Sequence, residues 1–222
     1  MNRELFVILL PTLLLRVFSL SILSNSVVKP WQSFLSQLLP NSNLNGSKAD
    51  VDARQRLKLQ LFEECRSNVG KNDERVRERI ESIIGDLAVL NPTRGTATSP
   101  LLLRKWTLEW TTEKEINFFI QTGISNTITQ TLSKGYLENN IPFVKGGGFG
   151  VSGSIRPASN YFTSDDDKDQ EFLLCSCRTE FQFINAKLDL GKWGIYNFPP
   201  VGKGWFDTIY LDDGKFAVIS YC

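Results

Sequence analysis

The stretch IESIIGDLAVLNPTRGTATSPLLLRKWTLEWTT, residues 80–112, decides the fold of this chain. Its first part continues an amphipathic helix, which Asn91-Pro92 ends. A linker of small residues follows, and then a strand in which apolar and polar residues alternate from Trp106 to Trp110. We therefore expect this strand to have one apolar face and one solvent-exposed face. We also expect the chain to divide here into a helical N-terminal part, the helical front, and a β-rich C-terminal part.

The composition excludes several classes of function. With 25 basic and 24 acidic residues among 222, the chain lacks the excess positive charge of a nucleic-acid-binding protein. It contains no histidine, which removes Ser-His-Asp and Cys-His catalysis, imidazole bases and histidine-containing metal sites. We expect no catalytic set, no metal ion and no cofactor, and we expect no nucleic-acid partner.

The four cysteines do not form a disulfide framework in this reading. Cys175 and Cys177 are two residues apart on one predicted strand, so their side chains point the same way and poorly match disulfide geometry. No further ligands stand at zinc-site spacing. We expect small apolar core thiols.

The first 49 residues are predicted to be a targeting segment followed by a flexible linker. Residues 5–15 are apolar, but eleven residues are too few to span a bilayer, which needs about 20. A secretory signal fits this run, whereas an organellar transit peptide fits the serines and the absence of acids from residue 5 to residue 49. Both interpretations remain open.

Residues 50–91 are predicted to be a helical front, and residues 92–222 a mainly antiparallel β domain. Gly70 ends a first helix, and Asp73 caps a second whose apolar residues recur at three- and four-residue spacing. No helix-length segment separates the later strands, which favours a sandwich or barrel over a βαβ fold. The predicted strands are 103–112, 116–122, 126–132, 141–144, 171–189 (as two), 205–211 and 216–221.

Three motifs in the β domain favour ordinary structural roles. Residues 148–153 match G-x-G-x-x-G, but no helix-like pattern follows, so a glycine-rich turn or sheet bend is favoured over a nucleotide site. The acidic run 165–169 lacks the EF-hand pattern and is predicted to be a solvated loop. Asp207 lies in an apolar context, where capping or holding a turn is favoured over acid–base catalysis, since no second catalytic group accompanies it.

A set of short motifs resembles the plastid lipid-associated protein family, also called plastid fibrillins or plastoglobulins. The resemblance covers about residues 57–213. Its motifs are Leu90-Asn91-Pro92, Ser99-Pro100-Leu101-Leu102, Lys105-Trp106, Trp110-Thr111-Thr112, Gln130-Thr131, Leu137 with Asn139-Asn140, and GWFDTIYLD at residues 204–212.

The resemblance implies an α+β, mainly β, lipocalin-like antiparallel barrel preceded by a helix pair. It implies a non-enzymatic protein of plastoglobules or thylakoids, linked to stress responses, with apolar lipids of the prenylquinone or carotenoid class as partners. The family pattern continues beyond its YLD segment to a closing strand that residues 213–222 do not match. This barrel is therefore expected to lack that strand and to expose an edge.

An apolar lipid needs an enclosed hydrophobic lining and few polar anchors. Asp207 is assigned an anchoring role, and the alternative for the first two tryptophans is a purely structural plug at the floor of the barrel. The predicted lining residues are Trp106, Trp110, Phe181, Phe183, Trp205 and Phe206.

A different class of function is also compatible with the sequence. Helix 73–90 carries Arg75, Arg77 and Arg79 among acidic residues, most simply as a solvated face. In the alternative, this charged helix docks plastid enzymes and the protein is a scaffold without its own lipid cavity.

Overall fold

The computed structural model describes residues 5–9, 47–71, 73–158, 177–199, 202–213 and 216–221. Three α-helices lie in these ranges: α1 (Lys48–Ser67), α2 (Glu74–Val89) and α3 (Lys114–Gln121). Short 3-10 turns cover Thr96–Thr98, Pro100–Leu102 and Gly191–Trp193. The strands are β1 (Leu5–Leu9), β2 (Lys105–Thr111), β3 (Thr129–Ser133), β4 (Tyr136–Pro142), β5 (Gly148–Pro157), β6 (Arg178–Asp189), β7 (Ile195–Phe198), β8 (Lys203–Leu211) and β9 (Phe216–Tyr221).

The predicted helix pair is confirmed, and both helices begin at side-chain caps. Ser47 and Asp50 form a capping box at α1, in which each side chain accepts a hydrogen bond from the other residue's backbone N–H. Asp73 accepts from the Val76 N–H at the start of α2. Gly70, with φ +72°, turns the chain between the helices in the left-handed region, where glycine is favoured.

Seven antiparallel strands form a curved sheet in the order β2-β3-β4-β5-β6-β8-β9. The predicted absence of a closing antiparallel strand is confirmed: in the described part of the chain, no antiparallel strand joins β9 to β2, and the seven antiparallel strands form a half-barrel. Strand β1 lies between these two edges and pairs parallel with both. Strand β7 pairs with the second half of β6, beyond the region that β8 occupies.

Residues 116–122, predicted to be a strand, form helix α3 instead. The strand was predicted because β-branched and aromatic residues dominate this part of the sequence. In the helix, Ile116, Phe119 and Ile120 pack on the core at three- and four-residue spacing, and Phe118 is 55 % exposed. The helix is tied to β2 by Asn117, whose Nδ2 donates to the Thr111 carbonyl at 3.0 Å.

The glycine-rich motif 148–153 lies within β5, paired on both sides, so it is neither a helix start nor a nucleotide loop. The strand is bulged between Ser152 and Gly153, as expected for a sheet bend. A Cβ on Gly153 would lie 2.2 Å from the Gln182 carbonyl oxygen, so only glycine fits there. Within the described residues, region 171–189 supplies one strand, β6, while its first six residues and the acidic run 165–169 lie outside the description.

Buried apolar residues form two clusters on opposite faces of the sheet. The interior cluster lines the concave side and consists of Leu102, Trp106, Ile116, Ile128, Leu132, Leu137, Ile141, Phe149, Val151, Phe181, Phe183, Ala186, Phe206, Leu211, Ala217 and Ile219. The helix-side cluster joins α1 and α2 to the sheet and consists of Leu61, Cys65, Val76, Ile80, Ile83, Ile84, Leu87, Trp110, Ile209, Tyr210, Phe216 and Val218.

Candidate functional site

Four of the six predicted lining residues meet in the interior cluster: Trp106, Phe181, Phe183 and Phe206. The ring centroids of Phe181 and Phe183 are 5.1 Å apart, and those of Phe181 and Phe206 are 6.4 Å apart. Gly204 makes room for this arrangement, because a Cβ there would lie 2.7 Å from Cζ of Phe181. Trp106 is fully buried and donates from Nε1 to the Leu102 carbonyl at 3.0 Å.

The expectation that Trp106 and Trp110 share one face is wrong. Strand β2 has a register shift against β1, with Leu108 and Trp110 opposite successive residues, so Glu109 is an extra residue in β2. A bulge of this kind reverses the facing of every following side chain. Trp110 therefore lies in the helix-side cluster, where Nε1 donates to the Lys71 carbonyl at 3.1 Å and fixes the α1–α2 connection to the sheet.

Trp205 lies on the outer face of the half-barrel, 40 % exposed. The Arg178 guanidinium carbon lies 5.3 Å from its ring centroid, in cation–π geometry. The same guanidinium donates to both carboxylate oxygens of Asp207, each at 2.8 Å. Asp207 is 6 % exposed and is thus held in a bidentate ion pair between β6 and β8. Its anchoring role stays a prediction, but the geometry is that of an anchor.

Among the described residues, two hydroxyl side chains on the interior face have no hydrogen-bond partner. Thr179 precedes Phe181 by two residues on β6, and Thr208 follows Phe206 by two residues on β8. Both threonines are at most 2 % exposed, and among the described residues their hydroxyl oxygens make no hydrogen bond. Such orphaned groups are costly and are usually satisfied by water or a ligand.

The two halves of the sequence signature form one hydrogen-bonded unit. Among the described residues, β6 begins at Arg178, opposite Asp207, and no strand pairs with residues 208–211 of β8 on that side. Segment 91–96 occupies this edge. Thr93 donates from Oγ1 to the Leu211 carbonyl at 2.6 Å, and Thr96 donates to the Thr208 carbonyl at 2.8 Å. The conformation of this edge thus depends on the Asn-Pro segment that ends α2.

Sequence reasoning missed a second polar cluster at the end of β8, around Asp212. Its carboxylate accepts from Lys58 Nζ of α1 at 2.7 Å, from the Tyr210 hydroxyl at 2.9 Å and from the Phe216 N–H at 3.1 Å. Burial, followed by the Asp212 charge, raises the pKa of the Tyr210 hydroxyl well above its ordinary value. The sequence feature that could have indicated this cluster is the pair of aspartates after an apolar strand. Its partner Lys58, however, is 154 residues away in the chain.

Among the cysteines, Cys65 is a buried free thiol, as predicted. Burial, with smaller contributions from Glu109 and Glu64, raises its pKa far above the ordinary value, so it stays protonated. Cys177 is half-buried, while the other two cysteines lie outside the described residues. No cluster of metal-ligating side chains occurs in the described ranges.

The arginines of helix α2 are partly engaged within the helix pair. Arg77 contacts Glu81 at 2.6 Å, and Arg79 contacts Glu64 of α1 at 2.6 Å. A surface groove between α1 and α2 is lined on its polar side by Arg56, Gln60 and Asp86. In the part of the chain that is described, no helix is both long enough and apolar enough to cross a membrane.

Comparison with known proteins agrees with the sequence signature. The PAP_fibrillin family model matches residues 55–142. The chain is 31% identical over 167 residues to the probable plastid-lipid-associated protein 11, chloroplastic, of Arabidopsis thaliana, which covers 72% of this chain and 70% of the relative. No solved structure matches. Given this identity over most of both sequences, the chain belongs to the PAP_fibrillin family, the plastid fibrillins.

Proposed function

We propose that this chain is a non-enzymatic, lipid-associated structural protein of plastids. It holds or coats apolar lipids at a plastoglobule or thylakoid surface. The plastid assignment rests on the similarity to a chloroplastic plastid-lipid-associated protein. The observation that carries the lipid role is the concave face of the half-barrel, which is lined by sixteen buried apolar residues.

Within the class of apolar lipids, we propose a prenylquinone in preference to a hydrocarbon carotenoid. The interior face carries two orphaned hydroxyls, on Thr179 and Thr208. A quinone carbonyl accepts a hydrogen bond from a threonine hydroxyl, whereas a hydrocarbon chain does not. The aromatic rings of Phe181 and Phe206 on the same two strands supply flat apolar surface beside these hydroxyls.

A fluorescence titration tests the ligand assignment. Prenylquinone added to the purified chain should quench tryptophan emission saturably, because Trp106 lies in the interior cluster. Trp106→Phe should remove most of that response. Trp110→Phe and Trp205→Phe are matched controls that should retain it, since both side chains lie on other faces of the sheet. Absence of saturable quenching in a folded sample would contradict the proposal.

The orphaned hydroxyls provide a second, independent test. Thr179→Val and Thr208→Val keep the side-chain shape and remove the hydroxyls. We expect roughly tenfold weaker quinone binding for each, with unchanged or increased stability, because an unsatisfied buried group is removed. Carotene binding should not change in either variant. Unchanged quinone binding in both variants would show that the two threonine hydroxyls do not hold the quinone. The lipid association itself would still be tested by the fluorescence titration.

The alternative is a protein-docking scaffold, in which α2 and the groove beside it bind plastid enzymes. The groove between α1 and α2, with Arg56 and Asp86 in its lining, is the observation that favours it. Reversing Arg75, Arg77 and Arg79 to glutamate should then abolish co-purification of partners and leave lipid uptake intact. Retention of the partners would reject the scaffold.

A further inference from the structure

Two turns at one end of the half-barrel lie side by side. The first is the β4–β5 turn, residues 143–147, and the second is the β6–β7 turn, residues 190–194. A Cβ on Gly147 would lie 2.2 Å from the Asp189 carbonyl oxygen and 3.3 Å from the Gly191 nitrogen, so the two backbones are in contact. Asp189 is itself held by this turn, accepting from the Gly191 N–H at 2.8 Å.

These turns, with the start of β7, expose large apolar side chains to water. Trp193 is 74 % exposed, Val144 60 %, Ile195 55 %, Tyr196 51 % and Leu190 39 %. Two exposed lysines, Lys145 and Lys192, stand among them, and Lys192 Nζ lies 5.9 Å from the Trp193 ring centroid. We call these seven residues the aromatic rim.

The composition and shape of the aromatic rim favour a lipid surface as its occupant. Tryptophan and tyrosine have an apolar ring and a polar group, which is why they concentrate at membrane–water interfaces. Lysines beside them extend their ammonium groups towards headgroups while their stems cover apolar surface. The charge is complementary to anionic headgroups, which attract lysines near the surface. The rim also projects from two turns, whereas small-molecule sites are concave.

The rim lies over the interior cluster. Phe143 of the first turn and Leu188, two residues before the second turn, are partly buried and pack against that cluster. Tyr196 is the pairing partner of Leu188, so its ring belongs to the same concave side of the sheet. A lipid leaving a membrane beneath the rim would therefore enter the half-barrel without crossing water.

We propose that the aromatic rim seats the protein on an anionic lipid surface, with Trp193 and Ile195 inserted and Lys145 and Lys192 at the headgroups. This inference rests on the proposed lipid-associated function and deepens it by naming the part of the chain that touches the lipid surface. The orientation places the end of the half-barrel that carries the β4–β5 turn towards the lipid. The opposite end, which carries the β3–β4 turn, points away from it.

Vesicle binding by the full chain tests the proposal. The probes are phosphatidylcholine vesicles with and without phosphatidylglycerol, and co-flotation gives the bound fraction. We expect Trp193→Ser and Ile195→Ser each to weaken binding roughly tenfold. Lys145→Glu with Lys192→Glu should remove the preference for phosphatidylglycerol. The matched control is Tyr136→Ser with Lys134→Glu, on the β3–β4 turn at the other end of β4, where Tyr136 is 41 % exposed.

The outcomes separate this proposal from the proposed function. Rim variants that lose vesicle binding but keep quinone quenching support both. If the wild-type chain takes up quinone but binds no vesicles, the membrane role of the aromatic rim is overturned and the proposed lipid-binding function stands. The same result is expected if a protein partner, and not a lipid surface, covers the rim. Rim variants that bind like wild type, or control variants that weaken binding equally, overturn the rim. A wild-type chain that binds vesicles through the rim but takes up no quinone overturns only the ligand assignment.

Discussion

Replacing Asn91 with alanine should destabilise the fold through β8 more than through helix α2. The Asn91 side chain donates from Nδ2 to the Ile209 carbonyl at 3.1 Å. Its Oδ1 accepts from the Leu211 N–H at 3.2 Å and from the Thr93 N–H at 3.1 Å. Two of these three bonds go to β8 beyond Asp207, where no strand of the described residues pairs with it on that side.

The magnitude follows from these three hydrogen bonds. Each contributes about 0.5 to 1.5 kcal/mol net, and two leave half-buried backbone groups of β8 unpaired when lost. We expect Asn91→Ala to lower the free energy of unfolding by about 2 to 4 kcal/mol. Urea unfolding followed by tryptophan fluorescence should show a lower midpoint with an unchanged slope, since the same surface is exposed on unfolding.

A matched control is Asn140→Ala, because Asn140 is exposed on β4. It should change the unfolding free energy by less than about 0.5 kcal/mol. An Asn91→Ala protein as stable as this control would refute the reasoning that segment 91–96 holds the edge of β8. Combining Asn91→Ala with Thr93→Val should also give a non-additive loss, because both side chains bond to Leu211.

Three further predictions concern other contacts. Asp207→Asn should lower the free energy of unfolding in urea by about 1.5 to 3 kcal/mol. This is less than the loss expected for a fully buried ion pair, because the Arg178 side chain is 21 % exposed. A variant as stable as the wild type would contradict an anchoring role for Asp207. Deleting residues 1–46 removes β1 and opens the edges of β2 and β9, so light scattering after gel filtration should show self-association; a stable monomer would contradict this. Tyr210 has a pKa raised in the fold, so its contribution to stability should be complete below pH 10.0, its ordinary value, and lost as the pH rises above it. Tyr210→Phe should remove that alkaline loss, and a pH profile unchanged by the substitution would show that another group causes it.

The sequence was informative where side-chain periodicity was unbroken. Helix α2 was predicted from its spacing and its Asp73 cap, and both are present. Phe181 and Phe183, which the sequence analysis assigned to an apolar lining, lie on a buried face of β6. The absence of an antiparallel closing strand between β2 and β9 was predicted from the family pattern.

Prediction failed where a single inserted residue reversed the facing of the following side chains in a strand. It also failed where the contact that defines a site joins residues far apart in the sequence. One extra residue in β2 sends Trp110 to the face opposite Trp106, and an inserted residue leaves no mark in a short alternating pattern. Helix α3 was mistaken for a strand because eight residues are too few to separate the two periods. For residues 148–153 the sequence left a turn and a sheet bend open, and the bend is found in β5, where Gly153 allows close approach to the β6 backbone.

The most direct test of the lipid role is the lipid content of the full chain isolated from plastids without detergent exchange. Mass spectrometry of the extract should identify a prenylquinone, at a level that falls in Thr179→Val and Thr208→Val and is unchanged in Tyr136→Ser. A folded protein that carries no apolar lipid from plastids, and acquires none when prenylquinone is supplied, would contradict the account.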